Sequence, residues 1–116
     1  MKTIDIHGKS YVPVVERVKE FHIQNPHGSI TSEIVSNSDG RVIVKASVML
    51  EDKRVFTGFS QAEWGKGNMG SVALEVAETS AIGRALGFAN IGLLDGIASA
   101  DEIHKVKTSK ETDVPF

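Results

Sequence analysis

The residues of this 116-residue chain that could do chemistry are a few cations set among glycines and small side chains, with its single tryptophan beside them. Gly65-Lys66-Gly67-Asn68-Met69-Gly70 spells G-x-G-x-x-G. A glycine-rich loop that opens a helix offers backbone N–H groups, here with a lysine, to an anion such as phosphate. Asp95 follows about 25 residues later, near where a dinucleotide-binding unit places its ribose acid. That fingerprint needs a parallel βαβ unit. The run before this loop carries Gln61 and Glu63 and closes an antiparallel set of strands, so nicotinamide or flavin binding is not expected. The loop is then either an anion cradle or a plain connector. Trp64, just before it, either caps the core or offers a ring on which a base can stack. Arg84 projects from a run whose other members after Glu78 are uncharged. It either complements a helix C-terminus or serves a ligand.

Other catalytic constellations do not assemble. His7, His22, His27 and His104 lack metal-ligand spacing, and the chain has no H-E-x-x-H and no paired carboxylates. It also has no nucleophile elbow and no Walker loop. The expectation is a protein without enzymatic turnover, cofactor or metal.

The elements that must position these residues follow from periodicity. Ala73, Ala77, Ala81 and Ala85 recur every fourth residue and share one helical face, flanked by Ser80, Gly83 and Gly87. A stripe this thin lets the helix backbone lie very close to a sheet or a neighbouring subunit, and the helix is expected to run from Leu74 to Gly92 with Ser71 as N-cap. Upstream, Pro13 suits a first helical turn. Val14, Val15, Val18, Phe21 and His22 continue a helix over residues 13–24, stopped by Asn25-Pro26-His27-Gly28. Three strands are expected between these helices, at 29–36, 41–50 and 54–64. In the second, Val42, Val44, Ala46, Val48 and Leu50 alternate with Arg41, Ile43, Lys45, Ser47 and Met49, the pattern of a half-buried strand with a cationic outer face. Asn37-Ser38-Asp39-Gly40 and Glu51-Asp52-Lys53 are turns by composition. The fold class is α+β: an N-terminal helix, then a three-stranded antiparallel meander packed on a long helix. A short helix is expected within 93–104 and a disordered polar tail over 105–116. A three-stranded sheet keeps two open edges, which invites assembly.

Composition sets limits. The length fits one domain, 1–104, followed by the tail. No apolar run approaches a membrane span of roughly 20 residues. The opening MKTIDIHGKS has no signal-peptide core, and the absence of cysteine fits a cytosolic protein. The formal net charge is −2, so any nucleic-acid binding needs cations gathered on one surface, through an oligomer if necessary.

Three groups of residues, Val48-Met49-Leu50-Glu51-Asp52, Thr57-Gly58 and Glu78-Thr79-Ser80-Ala81-Ile82-Gly83-Arg84-Ala85-Leu86, resemble the Rad-fifty-two-like superfamily of single-strand annealing proteins, phage Sak- and Erf-type relatives included. Glu16-Arg17-Val18 falls in the matching upstream helix, and the likeness spans about three-quarters of the chain. The resemblance implies a β-meander on a long helix, assembled into rings or filaments that hold single-stranded DNA in a basic groove. It also implies a cytoplasmic setting in a bacterial host and a role in recombination, repair or replication. By position it makes Arg84 and Arg17 groove arginines and Lys66 a groove lysine. Lys45 and Arg54 would extend the same track, with Trp64 as a stacking ring. Gly83, Gly87 and Glu51 stand where basic residues occur in the family, so the groove would be less basic.

The last residues, Asp113-Val114-Pro115-Phe116 after Glu111-Thr112, resemble the acidic Pro-Phe tip of bacterial single-stranded DNA-binding proteins. Such a tip places a terminal ring and α-carboxylate in a basic-rimmed apolar pocket of a partner protein. Together these resemblances imply single-stranded DNA binding and strand annealing, with host replication or repair proteins as partners. The competing readings are a single-stranded DNA-binding protein that does not anneal, a dinucleotide-binding enzyme, and an oligomeric scaffold that binds no nucleic acid.

Overall fold

The structure, a computed structural model, describes residues 2–92. In chain order the elements are β1 (Ile4–Ile6), β2 (Lys9–Tyr11), α1 (Val14–Gln24), β3 (Ser29–Ser38), β4 (Arg41–Met49), β5 (Val55–Glu63), a single 3-10 turn (Gly70–Val72) and α2 (Ala73–Phe88). The short helix expected within 93–104 and the tail over 105–116 lie outside the described residues.

Strands β3, β4 and β5 form one antiparallel sheet in that order, the meander that the alternation predicts. Asp39 and Gly40 make the tight turn between β3 and β4, with φ of 56° and 76°. Positive φ at both central residues matches the right-handed twist of a hairpin. β3 therefore runs on to Ser38, past the expected end at Ser36, and pairs Ser38 with Arg41. β4 buries Val42, Val44, Ala46 and Val48 on one face, and Leu50 follows just beyond the strand. Its other face carries Arg41, Ile43, Lys45, Ser47 and Met49, and among the described residues no helix packs over it.

Helix α2 lies across β4 and β5 and barely touches β3. Ala73, Ala77, Ala81 and Ala85 are all buried, as the four-residue repeat requires. The thin stripe meets a glycine: a Cβ on Gly58 of β5 would lie 2.5 Å from the Ala85 nitrogen and 2.6 Å from the Ala81 oxygen. Helix backbone and strand backbone are thus in direct contact, which no larger side chain at position 58 allows.

The ends of α2 differ from expectation. Ser71 does not cap it; the chain first makes the 3-10 turn, in which the Val72 N–H donates to Met69 O at 3.0 Å, and α2 then starts at Ala73 without a side-chain cap. Gly70 fixes this entry, because a Cβ there would sit 2.7 Å from the Gly65 carbonyl carbon. The helix also ends at Phe88, short of Gly92. Asn90 turns left-handed at φ 63°, the Ile91 N–H reaches back to Leu86 O at 2.9 Å and the Asn90 N–H to Gly87 O at 3.0 Å. This is a Schellman closure, with asparagine in the place usually held by glycine.

Helix α1 packs on α2 and buries Val14, Arg17 and Phe21, while Val15 and His22, expected on the buried stripe, face solvent. The loop after α1 is clamped onto the β4–β5 turn. Buried Asn25 accepts the Glu51 N–H through Oδ1 at 2.9 Å, and Glu51 accepts the His27 backbone N–H at 2.7 Å and meets the His27 ring at 2.9 Å. Hydrogen bonds from the His27 ring and backbone hold the Glu51 carboxyl below its usual pKa. The N-terminal hairpin β1–β2, turned at His7 and Gly8 with φ of 51° and 79°, was not foreseen and forms a separate two-stranded sheet.

Candidate functional site

Arg17 serves the fold. It is 2% exposed, and its guanidinium donates from Nε to Ile91 O and from Nη2 to Gly83 O, each at 2.9 Å. The Schellman closure of α2 presents the Ile91 carbonyl to it. A guanidinium enclosed in this way is not on a groove surface of the subunit, which corrects the expectation drawn from the resemblance. The sequence carried the signal: Val14, Arg17 and Phe21 stand at i, i+3 and i+7, the buried stripe of α1.

Lys45, Arg54 and Lys66 lie at or near the surface, Arg84 is half-buried with its Nη1 out of contact with solvent, and the four do not converge on one pocket. Arg54 immediately precedes β5, with Nε donating to Asp52 Oδ2 at 2.9 Å and its guanidinium 5.8 Å from the centre of the Phe56 ring. The Arg54 N–H and guanidinium hold the Asp52 carboxyl below its usual pKa. Arg84, half-buried on α2, stands beside the middle of β5, its Cβ 2.9 Å from where a Gly58 Cβ would be. Lys66 is exposed beyond the other end of the strand, with Nζ 3.5 Å from Glu63 Oε1. A strand of nine residues at about 3.3 Å each puts Arg54 and Lys66 some 30 Å apart. The three cations are strung along one edge strand. Lys45 is separate: it lies on β4, on the sheet face away from α2, with Glu33 and Phe59 as its register partners.

Trp64 does not cap the core; hydrogen bonds hold it at the end of the sheet. Its indole Nε1–H donates to Asn37 Oδ1 at 3.0 Å and its backbone N–H to Gly40 O at 2.9 Å, so it ties the end of β5 to β3 and the β3–β4 turn. It nevertheless keeps 40% of its surface exposed beside Lys66. The loop itself folds on its own glycines. Gly65 and Gly67 have φ of 74° and 70°, and the Gly65 N–H donates to Gly70 O at 3.0 Å. The strand it follows belongs to an antiparallel sheet, so it is not the first turn of a parallel βαβ unit.

Among the described residues, no three His, Asp or Glu side chains cluster so as to hold a metal ion, and no helix is long and apolar enough to cross a membrane. Asp113, Val114, Pro115 and Phe116, the expected partner-binding tip, lie outside them. Residues 2–92 carry ten Lys and Arg against ten Asp and Glu. Their charge is balanced overall, so any electropositive surface arises from placement alone. One residue that the sequence reading passed over is Phe59, 53% exposed on the uncovered sheet face opposite Lys45.

No curated protein and no solved structure matches the chain significantly. A family profile does match, over residues 18–89, from the first turns of α1 to just past the end of α2. It takes in the whole three-stranded sheet, both faces of α2 and every surface cation described above, and it covers more than half of the chain. The chain belongs to the Slr1353 N-terminal dsRNA-binding domain-like family.

Proposed function

We propose that this chain is a nucleic-acid-binding protein without catalytic turnover, and that it holds single-stranded DNA for annealing. The observation that carries the reading is the placement of Arg54, Arg84 and Lys66, with the half-open ring of Trp64, along the single strand β5. A linear set of cations suits a linear polyanion better than a compact ligand. The ion pairs of Arg54 with Asp52 and Lys66 with Glu63 are solvent-exposed. Such pairs add little to stability because water and salt screen them, so a phosphate can replace the carboxylate at little cost. Phosphate contacts hold the backbone and leave base edges free to meet a complement. The family's description by likeness to a dsRNA-binding domain supports nucleic acid as the ligand class.

That same description favours a second reading, duplex RNA, which proteins recognise by A-form shape and by phosphate and 2′-hydroxyl contacts. Fluorescence anisotropy with labelled single-stranded DNA, duplex DNA and duplex RNA across salt separates the two. The single strand should bind tightest, and complementary strands should anneal faster with protein present. Lys66→Ala should weaken binding and flatten the slope of log affinity against log salt by about one unit per engaged subunit. Preference for duplex RNA would establish the second reading. Binding of a single strand without faster annealing would leave a protective role. No binding at low salt would leave a scaffold.

A further inference from the structure

We propose a base-stacking site on the open face of the sheet, centred on Phe59 and Lys45, that takes one nucleobase and the neighbouring phosphate of a single strand. The inference rests on the nucleic-acid reading above and adds a surface that the β5 cations do not include. Register places the site. Phe59 pairs with Lys45, which pairs in turn with Glu33, so a half-exposed phenyl ring and a lysine stand side by side on adjacent strands of one face. Directly opposed residues in an antiparallel pair hold their Cβ atoms about 5 Å apart, roughly the offset between a base and its own phosphate-bearing backbone.

The surroundings of Phe59 argue for a base rather than a protein partner. Its neighbours on the same face are Thr57 and Gln61 along β5, with Ser47 and Ile43 diagonal to it on β4. Four of the five adjoining positions, Lys45 included, therefore offer hydrogen-bonding side chains. A protein interface needs a contiguous apolar centre, and a lone ring among hydroxyl, amide and ammonium groups does not supply one. A nucleobase needs what is here: one π face to stack on, polar groups at its rim, and a cation for phosphate. The cations of this face, Arg41 and Lys45, both lie on the central strand, while its acids, Glu33 and Glu63, lie on the two edge strands. Glu63 is moreover the carboxylate that Lys66 approaches. A strand crossing Phe59 and continuing over Arg41 arrives at Lys66 and Trp64, which joins this site to the end of the β5 track. A duplex cannot use the ring, because its bases are already stacked on one another.

The test is anisotropy with a labelled oligothymidylate and with an abasic oligomer of equal length, on the full chain. Phe59→Ala should keep the melting temperature and weaken oligothymidylate binding on the order of ten-fold, with the salt slope unchanged, since stacking releases no counterion. It should leave binding of the abasic oligomer alone. Phe59→Tyr should restore the affinity, and Lys45→Ala should lower the salt slope for both oligomers. Equal loss on both oligomers, or a change of oligomeric state in Phe59→Ala, would make this face a subunit contact and overturn the site. Full affinity in Phe59→Ala, with Lys66→Ala still weak, would overturn the site and leave the broader reading standing. If the unaltered chain binds neither oligomer, that reading fails first.

Discussion

At the scale of single residues, the fold and the proposed binding surface compete for arginine. The sequence offered Arg17 and Arg84 as a pair on two helices, yet their surroundings separate them. Arg17 sits among Val14, Phe21 and the end of α2, holding two main-chain carbonyls from turns that are distant in sequence. Removing it leaves buried acceptors without their charged donor, a loss of about 1.5–3 kcal/mol for such bonds. Arg17→Ala should therefore lower the unfolding free energy by about 3 kcal/mol in urea titration, while the molecules still folded at low temperature bind an oligonucleotide like the unaltered chain. A stable Arg17→Ala protein that no longer binds would return this residue to the groove. The resemblance alone suggested a groove role for Arg17. What decided the matter was the i, i+3, i+7 face shared with Val14 and Phe21, which the eye for charge passed over.

At the scale of elements, legibility followed the strength of the local pattern. β4 was read correctly because a strand buried on one face must alternate, and it does so without interruption from Val42 to Leu50. The alanine stripe of α2 was read correctly for the same reason. The N-terminal hairpin was missed because three-residue strands carry too few alternations, and His7-Gly8 is a weaker turn signal than the Asp39-Gly40 pair. The entry and exit of α2 were misplaced because Gly70 and Asn90 set them through contacts and a left-handed turn that propensity does not reveal. What neither strand nor helix pattern disclosed is their meeting point at Gly58. A methyl group there enters the helix backbone itself, and backbone has no rotamer with which to move aside. Gly58→Ala should push α2 off β5 and cost about 1–3 kcal/mol, as overpacking does. Because Arg84 lies at the same contact, it should shift along with the helix. A thermal melt and a salt-dependent binding curve on this one variant measure both effects. An unchanged melting temperature would mean that the close approach is not tight in solution.

At the scale of the whole molecule, one subunit is poorly equipped to hold a polyanion alone. Its described part has no net charge, Arg17 is enclosed, and the track proposed along β5 has only Arg54, Arg84 and Lys66. Among the described residues, the outer strands β3 and β5 each pair on one side only. β3 is blunted by an irregularity between Ile34 and Ser36, whereas β5 pairs with β4 in unbroken register and carries a single charged residue, Glu63. Natural edge strands are usually protected by lysine, proline or bulges. An edge as regular as β5 is therefore suited to receive a strand from another copy, and it is the same edge that the cations follow. Repeating the subunit along this edge would place one set of cations after another on a continuous track, where one subunit offers three. Sedimentation velocity at micromolar concentration should then reveal a species well above the 12.5 kDa monomer, and its affinity for long oligonucleotides should fall on dilution toward the monomer. Arg54→Glu, a charge reversal at the start of the strand, should weaken long-oligonucleotide binding more than short, because a long strand meets the lesion once per subunit. A monomer both with and without oligonucleotide would exclude a shared track, and the binding would then have to be explained by the few cations of one chain.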